Sequence, residues 1–175
     1  GGDDKWLKLT SPWAVGVREH GKGQIILIQV PAERILTSAQ ATALYLRRLA
    51  PAGARVYIIG GAGLSDAVLG SADAAGQPLF VWDEAHPDYV LVGMDTNLTY
   101  QKLKMACLAI RAGARFIGSN PDRTFPSEDG IVPGCGAILA ALQACTDVAP
   151  TVIGKPEAAI FELALARLGA QRQTT

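Results

Sequence analysis

The sequence predicts an α/β fold, a mostly parallel or mixed sheet with flanking helices. Short apolar runs of strand length recur at residues 55–59 (RVYII), 88–93 (DYVLVG), 114–118 (ARFIG) and 151–153 (TVI). Between them lie stretches with apolar residues at helical spacing, such as Leu103, Ala106, Cys107 and Ile110. The strand at 88–93, the helix after it and the strand at 114–118 have the spacing of a βαβ unit, which makes those two strands parallel.

Residues 1–23 have the weakest pattern. Gly1-Gly2-Asp3-Asp4 reads as a loop, Pro12 interrupts any element through Trp6 to Val17, and Gly16, Gly21 and Gly23 add breaks. Residues 24–30 (QIILIQV) have strand composition, and an organisational boundary is expected near Val30-Pro31. Thr37 and Gln40 fit a capping box. The helix they open runs to Leu49, with Ala41, Leu44, Tyr45 and Leu49 on one side, before Pro51 and Gly53. The strand at 55–59 leads through Gly60-Gly61-Ala62-Gly63 to a short helix near Leu64. Gly61 and Gly63 match two glycines of GxGxxG, but Asp66 stands in the third place, so a tight strand-to-helix turn is the reading.

Residues 71–78 read as a loop and 80–82 as a short strand. After the strand at 88–93, Asp95-Thr96-Asn97 turns the chain and Thr99 caps a helix from Tyr100 to about Ala112. Lys102 and Arg111 are expected to face water, and Gly113 to close the helix. Ser119-Asn120-Pro121-Asp122 follows the strand at 114–118, at the carboxyl end where open α/β sheets hold ligands. A polar loop with Pro126, Asp129 and Gly130 leads to Gly134-Cys135-Gly136 and a helix bearing Ile138, Leu139, Leu142 and Cys145. The last strand ends in Gly154-Lys155-Pro156. The closing helix carries Phe161, Ala164, Leu165 and Leu168 as its apolar stripe and stops at Gly169.

A chain of 175 residues suits one domain, or one domain and a piece of another. Its 16 basic and 16 acidic residues cancel, which gives no electrostatic footprint for nucleic acid or an anionic membrane. Apolar runs fall short of the ~18 residues of a membrane span, and no signal-peptide pattern opens the chain. The first residue is Gly rather than Met, so the native start is expected to be missing. Cys107, Cys135 and Cys145 form no CxxC, and Cys107 and Cys145, among apolar helical residues, read as small buried hydrophobes; His20 and His86 are far apart, which disfavours zinc. These features favour a reducing, cytoplasmic compartment.

Four stretches carry a family resemblance: PAERILTSAQATALYL (31–46), VLVGMDTNLTYQKL (90–103), ARFIGSNPD with PSEDGIVPGCGAIL (114–122 and 126–139), and VIGKPEAAIFELAL (152–165). In this order, they make the chain from about Gln29 to Ala170 resemble the haloacid dehalogenase superfamily of phosphatases, subfamily IIA, which includes NagD-like and p-nitrophenyl-phosphatase-like enzymes. The resemblance implies a C2-type cap over residues 29–150 and a partial Rossmann-like core with the lysine motif over 151–175. Residues 1–28 stay unassigned. It also implies Mg²⁺-dependent hydrolysis of small phosphate monoesters through an aspartyl-phosphate. In that scheme a DxDG motif supplies nucleophile and general acid/base, and a Ser or Thr binds the phosphoryl group. A Lys stabilises nucleophile and phosphate, and a GDxxxTD motif helps bind Mg²⁺.

Lys155 matches the catalytic lysine, and phosphoryl transfer does need fixed positive charge beside developing negative charge. Asp95, Asn97, Asn120 and Asp122 fall where the cap's substrate-contacting loops would be, although Asn and Asp also cap turns on their own account. Gly134 to Gly136 could offer amides to an anion, but close packing at a helix start is the preferred reading. The sequence contains no DxDG, no Thr/Ser-Asn motif before Pro31 and no GDxxxTD, and neither Asp3-Asp4 nor Thr10-Ser11-Pro12 substitutes. Nucleophile and metal ligands are thus absent, and the isolated chain is expected to be inactive, with an exposed apolar stripe on its last helix. Residues 1–23 would come from a shifted or fused reading frame, or else the chain is a divergent cap-only protein. The expected partners are a small phosphorylated metabolite and a second copy through the cap. Two alternatives stay open: a non-catalytic cap-only binding or dimerisation module, and a nucleotide- or sugar-binding Rossmann-like domain.

Overall fold

The computed structural model describes residues 14–20, 23–29 and 35–169. The chain divides into two units, Gly1–Leu36 and Thr37–Thr175. In the first, β1 (Ala14–His20) and β2 (Gly23–Gln29) pair antiparallel, from Ala14 opposite Gln29 to His20 opposite Gly23. Gly16, expected as a break, lies inside β1, and Gly23 opens β2. A glycine weakens a strand but does not end it where a full ladder takes up the backbone groups. The expected loop at Gly1-Gly2-Asp3-Asp4, the interruption at Pro12 and the boundary at Val30-Pro31 lie outside the described residues.

The second unit runs α1 (Ser38–Leu49), β3 (Ala54–Ile59), α2 (Ala62–Leu69), β4 (Phe80–Trp82), β5 (Tyr89–Val92), α3 (Tyr100–Arg111) and β6 (Arg115–Gly118). It continues with β7 (Thr124–Ser127), β8 (Gly130–Pro133), α4 (Cys135–Thr146), β9 (Thr151–Val152) and α5 (Ala158–Leu168). Five strands form one parallel sheet in the order β4-β3-β5-β6-β9. The βαβ spacing therefore does give parallel β5 and β6, with Tyr89 opposite Arg115 and Val92 opposite Gly118.

Side chains alternate across the sheet. Tyr57, Ile59, Val90, Val92 and Phe116 pack with Ala106, Ala109 and Ile110 of α3 and Ile138, Leu139 and Leu142 of α4. Val56, Ile58, Leu91 and Ile117 point the other way and are also buried. Away from the α3–α4 layer, α1 packs on α2 and on α5. With helices on both faces, the central strands read as continuous apolar runs rather than alternating ones.

The register is sheared. Val56 of β3 is opposite both Trp82, the end of β4, and Tyr89, the start of β5. The chain therefore passes from β4 to β5 beneath β3 in six residues, far fewer than the dozen or so a parallel connection ordinarily needs. Arg55 holds both ends of this crossing. Its guanidinium reaches Asp88 at 2.8 and 3.2 Å and Asp83 at 3.8 Å, and its amide donates to Asp88 at 2.9 Å. At the other edge, β9 pairs only with the last two residues of β6.

Helix starts follow the sequence closely. Thr37 and Gln40 make the reciprocal capping box, and Thr99 accepts from the Lys102 amide. Gly113 and Gly169 take positive φ at helix ends. The buried faces differ in detail. In α1, Leu46 and Thr42 are fully buried and Leu49 is exposed. Thr42 tolerates burial because its hydroxyl donates to the Ser38 carbonyl at 2.8 Å. In α5, Ile160 and Leu163 face inward while Phe161 is 52% exposed, because the side meeting α1 carries residues 159, 162 and 163. The polar loop expected around Pro126 is instead the antiparallel hairpin β7–β8, with Pro126 opposite Ile131. In a two-stranded ribbon each strand has a free edge, so a missing N–H need not interrupt pairing. No helix among the described residues is long and apolar enough to cross a membrane.

Leu46→Ala is expected to destabilise the second unit by about 2–5 kcal/mol, the usual cost of emptying a core position, and Leu49→Ala by about 1 kcal/mol or less. Denaturant midpoints would decide, and equal losses would return Leu49 to the core. The crossing also sets a pH dependence. Asp88 is held below the ordinary carboxylate range, first by the Arg55 side chain, and Asp83 first by the His86 amide. With folded values depressed, their stabilisation is complete above the unfolded value of about 3.9 and is lost as pH falls through the lower folded values. Unfolding midpoints should therefore fall as pH drops below about 4, modestly because these groups lie at the surface, and Arg55→Met should flatten the fall.

Candidate functional site

Parallel order brings the carboxyl ends of β3, β5, β6 and β9 to one rim. Backbone bonds tie neighbouring turns together there. The Gly61 amide donates to the Met94 carbonyl at 3.0 Å, that of Ser119 to Val92 at 2.7 Å, and that of Ile153 to Gly118 at 3.0 Å. Gly154 then meets the turn after β6 so closely that a Cβ would strike the Ser119 carbonyl oxygen and Asn120. Only glycine lets the two backbones approach this way. Lys155, the next residue, emerges exposed beside Asn120. Its ammonium makes no hydrogen bond or ion pair among the described residues.

Asn120 is half-buried and organises its own turn. Its Oδ1 accepts from the Asp122 amide at 3.2 Å, and its Nδ2 donates to Ser119 Oγ at 3.4 Å. Asp122 is exposed. One strand over, Asp95 is buried, its side chain only 4% exposed. Its Oδ1 accepts from the Asn97 amide at 2.8 Å and its Oδ2 pairs with Lys102 Nζ at 2.7 Å. Lys102 Nζ also donates to the Asn97 carbonyl at 3.0 Å.

Helical spacing alone turns Lys102 toward water. Instead it lies over the turn, because a carboxylate withdrawn from solvent needs a paired, hydrogen-bonded cation. Both Asp95 oxygens are thus engaged in shaping the turn, and Asn97 is exposed at its crest. Periodicity on α3 could not reveal this pairing. The signal is an acidic residue seven positions before a lysine, across a capped helix start.

Behind the rim, Cys135 is buried against Val92 and Ser119. Its thiol donates to the Val92 carbonyl at 3.5 Å and lies 3.7 Å from Ser119 Oγ. Burial pushes its pKa up. The amides of Gly134 and Gly136 are spent on the Arg123 and Asp122 carbonyls, at 2.9 and 2.7 Å. A Cβ at Gly136 would strike the Pro121 carbonyl. These glycines serve close packing.

Among the described residues, no three or more His, Cys, Asp or Glu side chains are grouped so as to hold a metal ion. The described residues thus offer no protein cage of three or more such ligands for Mg²⁺. A cleft of about 560 Å³ lies at the opposite, amino end of the strands, lined by Arg55, His86, Asp88 and Arg115. Arg55 and Asp88 there are already paired with each other. In open α/β sheets ligands gather at the carboxyl ends, which favours the rim that bears Lys155.

No family model matches the chain. The acid sugar phosphatase of Staphylococcus aureus (strain USA300) is 44% identical over 142 residues, 81% of this chain and 52% of the relative. The chain thus spans about half the length of the curated relatives it matches. Among solved structures, a thermostable NPPase double mutant from Geobacillus stearothermophilus superposes with a TM-score of 0.76 at 40% identity, covering 82% of this chain and 55% of that one. The glycerol phosphate phosphatase of Mycobacterium tuberculosis, in complex with calcium, gives 0.71 at 36% identity, with 81% and 40% covered. Its complex with magnesium is also similar. Over about four-fifths of its length, the chain belongs to the haloacid dehalogenase phosphatases of the IIA type.

Proposed function

We propose that this chain supplies the substrate-selecting cap and the catalytic lysine of a phosphatase that hydrolyses small phosphate monoesters through an aspartyl-phosphate. The observation that carries the reading is the exposed Lys155, unpaired among the described residues, which directly follows the close backbone contact of Gly154 with the Asn120 turn. An ammonium on a strand end is a compact point charge. Held beside a phosphoryl group, it offsets negative charge on the phosphate and on the attacking carboxylate. Asn97, Asn120 and Asp122 stand on neighbouring turns of the same rim, where they would meet the leaving group. Asp95 would act on the substrate only indirectly, by holding Asn97 in place.

Mg²⁺ is the cofactor that the family resemblance implies for the whole enzyme. The roles of Lys155 and of the rim turns are electrostatic and steric, and none of them passes through the metal. The nucleophile and general acid/base of the resemblance belong to a DxDG motif, which this sequence does not contain. The division into a cap over residues 29–150 and a piece of core over 151–175 is part of the proposal. So is a reducing, cytoplasmic setting, which the free thiols of Cys107, Cys135 and Cys145 favour.

The isolated chain is expected to show no turnover of p-nitrophenyl phosphate with Mg²⁺. Turnover that Lys155→Ala abolishes would overturn that part of the reading. Catalytic capacity is tested by replacing the equivalent segment of the Geobacillus stearothermophilus NPPase with residues 37–169. The chimaera should hydrolyse p-nitrophenyl phosphate, and Lys155→Ala in it should lower kcat by roughly 10²–10³ with a smaller change in KM. Gly154→Ala should lower kcat as well, by displacing the lysine from the Asn120 turn. A folded chimaera whose kcat ignores Lys155→Ala would favour the non-catalytic cap-only reading instead.

A further inference from the structure

Cys107 of α3 and Cys145 of α4 meet across the seam between their helices. Cys107 Sγ lies 3.8 Å from the Cys145 carbonyl oxygen, and Arg111, one turn further along α3, donates to the same oxygen at 3.3 Å. Both cysteines line one apolar cleft of about 300 Å³, together with Leu103, Leu108 and Ala141. Burial raises the Cys145 pKa, and the neighbouring Cys107 side chain raises it further. Cys145 is exposed and Cys107 half-buried, whereas Cys135 is buried. The expectation that Cys145 is a buried hydrophobe is thereby corrected. Its position in the last turn of α4 puts its sulfur at the helix end, where it bonds the Leu142 carbonyl at 3.3 Å.

We propose that Cys107 and Cys145 form a reversible disulfide that staples α3 to α4. A disulfide needs Cα atoms within about 7 Å and converging side chains. The Cys107 sulfur already reaches the Cys145 main chain, and the two helices are packed together. The oxidant is a low-molecular-weight disulfide. The thiolate of Cys145, the accessible partner, attacks one sulfur of the oxidant and displaces its other half as a thiolate. The thiolate of Cys107 then attacks the Cys145 sulfur of the mixed disulfide and releases the second half. Two protein S–H bonds and one S–S bond are lost, one protein S–S bond forms, and the two protons end on the two small thiols. The bridged residues are 38 positions apart, and the closed loop contains β6, the Asn120–Asp122 turn and the β7–β8 hairpin. Oxidation would therefore restrain the segment that presents Asn120 and Asp122 at the rim.

The test treats the whole native chain with glutathione disulfide, then counts thiols in denaturant and maps peptides without reduction. The expected result is a fall from three free thiols to one, a Cys107–Cys145 cross-linked peptide, free Cys135, and recovery of all three on adding dithiothreitol. Cys107→Ser and Cys145→Ser, each checked for native circular dichroism, should both abolish the cross-link. Three thiols remaining after oxidation, a stable glutathione adduct on Cys145, a bridge to Cys135, or a bridge between chains would each overturn the proposal.

Discussion

The contact on which the rim depends is the approach of Gly154 to the Ser119 carbonyl and Asn120. It joins the edge strand to the turn after β6 with nothing but backbone between them. It sets where the chain leaves the sheet at Lys155. The other glycines around α4 obey the same constraint. Gly118 leaves room for Leu139, and Gly136 lets the helix start lie on the Pro121 carbonyl. The carboxyl rim is thus a place where main chains pack closely and side chains are few. That suits a site whose specificity comes from a small number of polar groups on neighbouring turns.

A second, quieter constraint operates one strand away. Asp95 could have been a solvated turn residue. Burial makes its charge costly unless paired, and Lys102 reaches over from α3 to pair it. The pair ties the first turn of α3 to the turn at the end of β5, so helix position and loop shape depend on each other. Asn97 inherits its position from that pair through two hydrogen bonds, one accepted by Asp95 and one donated by Lys102.

How much of this is legible in the sequence follows from the physics of each element. The core strands of the second unit are readable because burial on both faces demands unbroken apolar runs. Helix starts are readable because capping uses particular side chains at fixed spacing, as at Thr37 and Gln40. The hairpins β1–β2 and β7–β8 are not, because Gly16 and Pro126 are poor strand formers locally and only pairing with a partner strand overrides them. Helix faces escape the periodic pattern where a polar residue satisfies itself, as Thr42 does, or where a neighbouring helix rather than the sheet sets the buried side, as in α5. Lys155 stands out through its motif. Lys102 does not, since nothing in a helical repeat marks a cation that serves a turn outside it.

The shear of the sheet bears on the lysine in one more way. Toward the amino ends the neighbouring strands are β4, β3, β5 and β6; toward the carboxyl ends they are β3, β5, β6 and β9. The strand that delivers Lys155 exists only at the carboxyl level and rests on two paired residues. Stability in a fold is distributed unevenly, and short edge elements open at lower free energy than central strands. Lys155 therefore rides on the part of the sheet most ready to fray, while Asn120 beside it springs from a strand with neighbours on both sides. Closing the rim around a ligand would draw the edge strand onto the better-paired one, so that part of the site's order would arrive with what it binds.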